Sequence, residues 1–198
     1  MGQRDNSTLA LKISLRRNLL KEIESPVVME THGGNGVLWR RCYDSVPDGV
    51  VFEKDAKKAD ILGKQRPCWA VYEADCISAI SDGVGGHLDI NFVDFDPYGE
   101  PWPAIDAFFE SERPRPDRLA VVVNDGLRGT LKIGAWSVKS MTEAVERYGN
   151  SIYHDYLKIC QELLQQKAAQ RGYKLTRWAG YYCGHAKEIT HYGAVFVL

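Results

Sequence analysis

Short apolar runs rich in β-branched residues alternate with amphipathic, helix-like stretches along most of this chain. The alternation predicts strands over residues 27–30, 49–53, 68–73, 88–94 and 119–123. It predicts helices over residues 9–23, 37–43, 57–63, 103–112 and 140–171, the last broken near Gly149 and Asn150. Two final strands, 174–182 and 192–198, are joined by a polar connection without a helical pattern, which indicates an antiparallel pair. The pattern is typical of an α/β fold, with a mostly parallel seven-stranded sheet that ends in an antiparallel hairpin.

Composition places the chain among ordinary globular proteins. Apolar residues make up 44% of the 198 residues and charged residues 26%. No apolar run approaches the 18 or more residues that a membrane span needs, so we expect no membrane partner. No linker rich in Pro, Gly or Ser divides the sequence. We therefore expect one domain over residues 1–198, in which residues 1–25 form a helical lead-in.

The cysteines and the net charge indicate compartment and partners. Five scattered cysteines without a C-x-x-C pair are typical of reduced thiols, and the N-terminus lacks the features of a secretory signal, so we expect a cytoplasmic location. The net charge is −1, whereas proteins that grip many phosphates usually carry a clear basic excess. Any surface for nucleic acid must then be local or supplied by a partner. The sequence leaves the oligomeric state open.

Residues 88–109 contain the most informative junction. The apolar run 90–95 leads directly into an Asp-Pro-Tyr-Gly segment, residues 96–99, and an amphipathic stretch follows at once. This order predicts a buried strand whose carboxyl end presents a carboxylate, a rigid turn and an aromatic ring. In open α/β sheets, ligands bind just beyond the carboxyl ends of the strands. An acid, a proline and an aromatic ring in that place suit the binding of a flat, amino-bearing base for methyl transfer.

A glycine-rich loop follows the first predicted strand. Its sequence is Glu30-Thr31-His32-Gly33-Gly34-Asn35-Gly36. Glycines let a backbone turn tightly and approach a ligand, and a helix N-terminus follows the loop. The NAD fingerprint would place a third glycine at Trp39, and Glu30 would repel a pyrophosphate. The same carboxylate suits the cationic end of S-adenosylmethionine, so we predict a site for that cofactor at Glu30, His32, Gly33, Gly34 and Gly36.

Carboxylates also follow the next three predicted strands. Glu53 ends the second strand, 20 residues after Gly33, where it can accept hydrogen bonds from ribose hydroxyls. Asp75 follows the third strand, where it can accept from the adenine amino group, and Asp94 and Asp96 end the fourth. The joint spacing predicts a site for a ligand rich in donors and positive charge. The structural alternative is that the glycines only form a turn and the acids only cap helices.

The segment from Val93 to Pro101, followed by Ile105-Asp106-Ala107, resembles the tRNA guanine-N2 dimethyltransferase family, which carries a similar D-x-D-P-aromatic-G-x-P motif with a helix behind it. More broadly, residues 27–130 resemble class I S-adenosylmethionine-dependent methyltransferases, which have a Rossmann-like fold. The resemblance implies S-adenosylmethionine as cofactor and transfer to an amino group. His32 stands where many family members have the first glycine of the loop. From the sequence we expect no additional C-terminal domain of the kind expected of the tRNA enzymes, which leaves the substrate open.

The motif predicts how an amino group would be activated. An exocyclic amine on a base is a poor nucleophile because its lone pair is conjugated into the ring. Acceptors on its two N–H groups localise that lone pair, and we assign these roles to the Asp96 carboxylate and the Pro97 carbonyl, with Tyr98 stacked on the base. No metal is needed for this reaction. The alternative is that Asp96 caps a helix and Tyr98 only packs.

Three classes of function agree with these features. The leading hypothesis is an N-methyltransferase acting on a base of RNA or DNA. The second keeps the enzyme class but replaces the nucleic acid with a small molecule or a protein. The third is a methyltransferase-fold subunit that binds cofactor or nucleic acid without catalysis, or scaffolds a partner.

Other polar groups carry weaker signals. Cys183, His185 and His191 match no common zinc spacing, so we predict no metal. The turn 124–129 offers Asp125 and Arg128 as possible pocket residues. The aromatic residues Trp178, Tyr181 and Tyr182, with His185, favour packing over base stacking. A basic stripe, Lys12, Arg16, Arg17 and Lys21, is expected to be a solvated helix face.

Overall fold

The computed structural model describes residues 8–131, 134, 136–184 and 186–198. The helices are α1 (Leu9–Leu20), α2 (Ala56–Gln65), α3 (Cys76–Ser81), α4 (Trp102–Glu110), α5 (Leu127–Thr130), α6 (Lys139–Tyr148) and α7 (Tyr156–Gln170). The strands are β1 (Val27–Glu30), β2 (Asp48–Glu53), β3 (Ala70–Glu73), β4 (Phe92–Phe95), β5 (Arg118–Asp125), β6 (Lys174–Cys183) and β7 (Ile189–Val197). A π-helical segment covers Trp39–Tyr43, and a single 3₁₀ turn covers Gly149–Ser151.

The seven strands form one sheet in the order β3-β2-β1-β4-β5-β7-β6. The first five strands pair in parallel, while β7 runs antiparallel to both β5 and β6. The last strand along the chain therefore lies between β5 and β6, and β6 forms an edge. The predicted sheet, its parallel part and its antiparallel end are confirmed.

Alternation along the buried strands divides the core into two halves. Val28 and Phe92 belong to the half that lies beneath α1, the π-helical segment and α2. Their neighbours Met29 and Val93 belong to the half covered by α3, α4 and α7. Successive strand residues point to opposite faces, so each strand contributes to both halves. This geometry requires apolar residues on both faces, which explains the nearly continuous apolar runs in the sequence.

Several boundaries differ from the sequence prediction. The fourth strand begins at Phe92 rather than at residue 88, because successive turns precede it: Gly86 N donates to the Gly83 carbonyl and Leu88 N donates to the Gly85 carbonyl. Asn91 Oδ1 accepts from Val27 N at 2.8 Å, and its Nδ2 donates to the Ser25 carbonyl at 2.9 Å. Helix α3 is absent from the sequence prediction because its six residues are too few to establish a helical period. The expected break near Gly149 is confirmed, since α6 ends at Tyr148.

No helix within the described residues is long and apolar enough to cross a membrane. All five cysteines are free thiols, and only Cys68 among them is exposed. The expectation of a single domain over residues 1–198 stays a prediction.

Candidate functional site

A cleft lies at the carboxyl ends of the parallel strands. It encloses about 730 Å³, part of it open to solvent. Its walls include Glu30, His32, Gly33, Gly34, Glu53, Asp96 and Tyr98. A smaller recess adjoins it, shares His32 and Glu53 with it, and continues to Asp75 and Cys76. The structure thus brings together, around one continuous depression, most of the residues that the sequence nominated, whereas Gly36, Asp94 and Pro97 are outside its lining.

The glycines of the loop have different structural roles. Gly34 and Gly36 have φ of +53° and +68°, a left-handed conformation that favours glycine. A Cβ on Gly33 would lie 2.5 Å from Leu62 Cδ1 and 2.7 Å from Val51 Cγ2, so close packing against the core already requires glycine there. Gly36 faces Leu62 and Gln65 rather than the cleft. Of the three glycines, Gly33 and Gly34 therefore present their backbone to the cleft.

Glu53 and Asp75 hold their carboxylates at the rim of the depression. Glu53 Oε2 accepts from Gly34 N at 2.8 Å and Oε1 accepts from Asp55 N at 2.9 Å, which leaves a lone pair on each oxygen. Asp75 Oδ1 accepts from Ile77 N and Ser78 N, so Asp75 is the N-cap of α3. The capping alternative is thus correct for Asp75 Oδ1, while Oδ2 keeps its acceptor capacity.

His32 occupies the boundary between the cleft and the recess. Its Nδ1 lies 2.8 Å from Thr31 Oγ1, and its Nε2 lies 3.7 Å from Cys76 Sγ. Burial lowers the pKa of His32, although the nearby acids, led by Asp96, oppose this effect. The neutral imidazole is therefore favoured at neutral pH, and it fills the space that a glycine would leave open.

Glu30 is almost completely buried and has an internal partner. Its Oε2 accepts from Arg66 at 2.6 Å. The Arg66 guanidinium lies between the rings of Trp39 and Trp69, 5.2 and 5.3 Å from their centroids. Burial raises the pKa of Glu30 to about 7 despite the opposing charge of Arg66. Glu30 thus reaches the cleft as one half of a buried ion pair rather than as a free carboxylate.

The basic residues of α1 are not all solvated, so the prediction for this stripe is wrong at two positions. Arg16 is fully buried, and its Nε and Nη2 donate to the two oxygens of Asp94, each at 2.7 Å. Tyr43 Oη donates to Asp94 Oδ2 at the same distance. Lys12 Nζ lies 2.6 Å from Asp96 Oδ1. The stripe instead supplies the counter-charges of the two acids at the end of β4.

The Asp-Pro-Tyr-Gly segment is held by the end of β5 and the residue that follows it. Asn124 Nδ2 donates to the Pro97 carbonyl at 3.2 Å, and Gly126 N donates to the Gly99 carbonyl at 2.8 Å. Tyr98 is fully exposed at the mouth of the cleft. Among the residues that the structure describes, no ring or ion-pair contact engages Tyr98, so its ring is available to stack on a ligand.

The remaining candidates are mainly structural. Asp125 is fully buried and accepts from Tyr156 and Tyr192, while the Arg128 guanidinium lies 3.7 and 4.2 Å from the ring centroids of Tyr153 and Tyr182. Trp178 stacks on Tyr192, as packing predicts. Cys183 Sγ lies 3.6 Å from His191 Nε2. His185 is outside the described residues.

The strand order and the antiparallel end pair are those of the class I methyltransferases, and the chain has their fold. Trm1 from Pyrococcus horikoshii, solved with S-adenosyl-L-methionine, is similar with a TM-score of 0.68 at 14% identity, over 99% of this chain and 56% of that one. N-methyltransferase NodS from Bradyrhizobium japonicum WM9, solved with S-adenosyl-L-homocysteine, has a TM-score of 0.63 at 12% identity, over 98% of this chain and 89% of its own.

A sequence relative agrees with the structural neighbours. The tRNA (guanine(26)-N(2))-dimethyltransferase of Thermoplasma volcanium is 27% identical over 150 residues, which cover 76% of this chain and 42% of that protein. The chain thus spans about half the length of this relative and of Trm1. No family model matches the chain. The resemblance to class I methyltransferases, and among them to tRNA guanine-N2 dimethyltransferases, is confirmed by these similarities.

Proposed function

We propose that this chain is an S-adenosylmethionine-dependent N-methyltransferase that acts on an exocyclic amino group of a nucleic-acid base in RNA. The observation that carries the proposal is that one cleft is lined both by the glycine loop and by Asp96 and Tyr98. Cofactor and target amine can therefore meet in the same space. The fold and the tRNA-modifying relative support the assignment to RNA.

The donor and acceptor pattern of the cleft fits this cofactor. Glu53 offers acceptors for two ribose hydroxyls, and Asp75 Oδ2 offers one for the adenine amino group. Gly33 and Gly34 offer a close backbone approach, and Glu30, joined to Arg66, faces the end that would receive the charged amino-acid part. His32 would lie against the nucleoside as a neutral ring.

The reaction requires alignment more than acid or base chemistry. S-adenosylmethionine supplies the methyl group: the amine lone pair forms the N–C bond, the S–C bond pair stays on sulfur, and one amine proton leaves to water. The Asp96 carboxylate and the Pro97 carbonyl accept hydrogen bonds from the two N–H groups of the amine, and this localises its lone pair on nitrogen. Asn124 holds the Pro97 carbonyl in place, and Tyr98 stacks on the base. A paired base would first be flipped out of its stack.

Methyl transfer to defined substrates tests the proposal. We expect tritium from labelled S-adenosylmethionine to enter an unmodified tRNA transcript, and digestion with mass spectrometry to locate it on an amino group. Binding should weaken with salt, since phosphate contacts release counterions. Cofactor binding without transfer to RNA or DNA would favour a small-molecule or protein substrate, which the net charge of −1 permits. If the chain shows neither cofactor binding nor methyl transfer, the scaffold hypothesis is favoured.

The free thiols support the proposed cytoplasmic location.

Cofactor binding provides a separate prediction. We expect S-adenosylmethionine and S-adenosylhomocysteine, each at about 100 times its Kd, to stabilise the fold by about 2.7 kcal/mol. This corresponds to a rise in Tm of about 5–10 °C for a chain of this size. NAD should produce no rise. A rise with NAD alone would contradict the assignment of the glycine loop.

The Glu53→Gln variant tests the ribose contact. We expect its Kd for S-adenosylhomocysteine, measured by calorimetry, to increase about 10-fold, because a charged acceptor is replaced by a neutral amide. Glu73→Gln is the matched control, since Glu73 ends the neighbouring strand β3 and is exposed. Equal affinities in the two variants would remove Glu53 from the cofactor site.

A further inference from the structure

Two basic side chains of helix α1 contact Asp96, the acid of the Asp-Pro-Tyr-Gly segment. Lys12 Nζ lies 2.6 Å from Asp96 Oδ1, and Arg16 Nη2 lies 3.7 Å from the same oxygen. Their side chains are well shielded, with 18% of Lys12 and 16% of Asp96 exposed. Shielded pairs are weakened by salt far less than surface pairs, so this contact is a persistent part of the site.

We propose that Lys12 is a positioning residue for the amine-binding carboxylate: by holding Oδ1 of Asp96, it fixes the carboxylate as an ionised acceptor whose Oδ2 is turned to the target amine. This inference rests on the proposed methyltransferase function. Asp96 lines the cleft, and Oδ2 receives no hydrogen bond from the residues that the structure describes. One oxygen is anchored and the other is available.

The wider charge arrangement supports an ionised Asp96. The charged and titratable groups that face Asp96 are Lys12 and Arg16 on α1, His191 on β7, His32 after β1, Asp94 on β4 and Glu30 on β1. Arg16 is committed to Asp94 by two hydrogen bonds, and Glu30 is committed to Arg66. Arg16 is therefore shared between Asp94 and Asp96, whereas Lys12 pairs with Asp96.

The protonation state follows from this arrangement. Burial alone would raise the pKa of Asp96, but Arg16 and Lys12 outweigh that effect and the pKa is lowered. A carboxylate with a lowered pKa accepts hydrogen bonds well and takes up protons poorly. Asp96 then orients the amine without removing its proton, which leaves to solvent water. Arg16 and Lys12 together keep Asp96 ionised, and Lys12 also fixes its Oδ1 by direct contact.

Substitution of Lys12 tests the proposal by kinetics. We expect Lys12→Met to lower kcat for tRNA methylation about 10- to 100-fold, because the carboxylate loses its anchor, with little change in KM for S-adenosylmethionine. The acid limb of the kcat–pH profile should move to higher pH. Lys12→Arg should retain most activity and the original profile. Lys21→Met is the matched control, since Lys21 follows the same helix and is exposed. An unshifted pH profile in Lys12→Met would overturn the proposal.

A measurement that does not require turnover separates this inference from the proposed function. Carboxyl ¹³C titration by NMR follows Asp96 directly, with Asp96→Asn identifying its signal. We expect the signal to titrate at higher pH in Lys12→Met than in the unsubstituted chain, Lys12→Arg or Lys21→Met. If Asp96 titrates at the same pH in Lys12→Met as in the other proteins, the proposed effect of Lys12 on Asp96 is wrong, even if the enzyme is active. The expected titrations without any methyl transfer would retain the contact but reject the proposed function and the positioning role.

Discussion

Asp96→Asn is expected to lower kcat for methyl transfer by about 10²–10³, while the Kd for S-adenosylhomocysteine stays within about twofold. The amide keeps the shape of the side chain but loses the charge that polarises the target amine. It also loses the ion pair with Lys12. Single-turnover transfer to tRNA measures the first quantity, and calorimetry measures the second.

The matched control for this substitution is Asp89→Asn, which makes the same chemical change at an exposed loop position outside the cleft. We expect its rate and affinity to equal those of the unsubstituted chain. If Asp96→Asn loses cofactor affinity and Tm together with rate, Asp96 is a structural residue, and the amine must be bound by other groups.

Arg16→Met is expected to lower the free energy of unfolding by about 3–5 kcal/mol, because it leaves the fully buried Asp94 without its counter-charge. Typical domains are stable by about 5–15 kcal/mol, so this loss is a large fraction of the total. Denaturant titration measures it. Lys21→Met should change stability by less than about 0.5 kcal/mol, since the side chain is exposed.

The Asp94→Asn substitution separates charge from packing. In the Arg16→Met, Asp94→Asn double variant, the buried charge is gone, and Tyr43 can still donate to the remaining side-chain oxygen. We expect the double variant to be more stable than Arg16→Met alone. If the two losses simply add, the contribution of Arg16 comes from the packing of its hydrocarbon chain rather than from its charge.

The overall fold could be predicted because buried parallel strands leave a strong signal. Each strand contributes to both halves of the core, so runs such as 119–123 are apolar throughout. The antiparallel end was predictable because no helical pattern separates the last two strands. Helix α3 was not, since six residues provide less than two turns and its start depends on the Asp75 cap.

The placement of the candidate acids could be predicted from the sequence, but their ion-pair partners could not. Val28 and Phe92 face α1 and α2, and alternation places Glu30, Asp94 and Asp96 on the same side, so the acids were certain to meet that layer of helices. Their partners were not evident, because basic residues on a helix are usually solvated. One signal was available: Arg16 lies beside Leu15 and Leu19, within the apolar stripe of α1. An arginine in a buried stripe implies a buried acid elsewhere.

The position of β7 has a consequence for synthesis of the chain on the ribosome. Residues 120–123 of β5 are fully buried, yet the strand that covers their outer edge, β7, extends from Ile189 to Val197. About 65 residues must therefore be translated after β5 before β7 is available, and during this time the edge of the apolar strand β5 is unpaired. Exposed edges of this kind promote intermolecular pairing. We infer that the nascent chain is most prone to aggregation between the emergence of β5 and that of β7, and that slower translation over this interval lengthens the exposure.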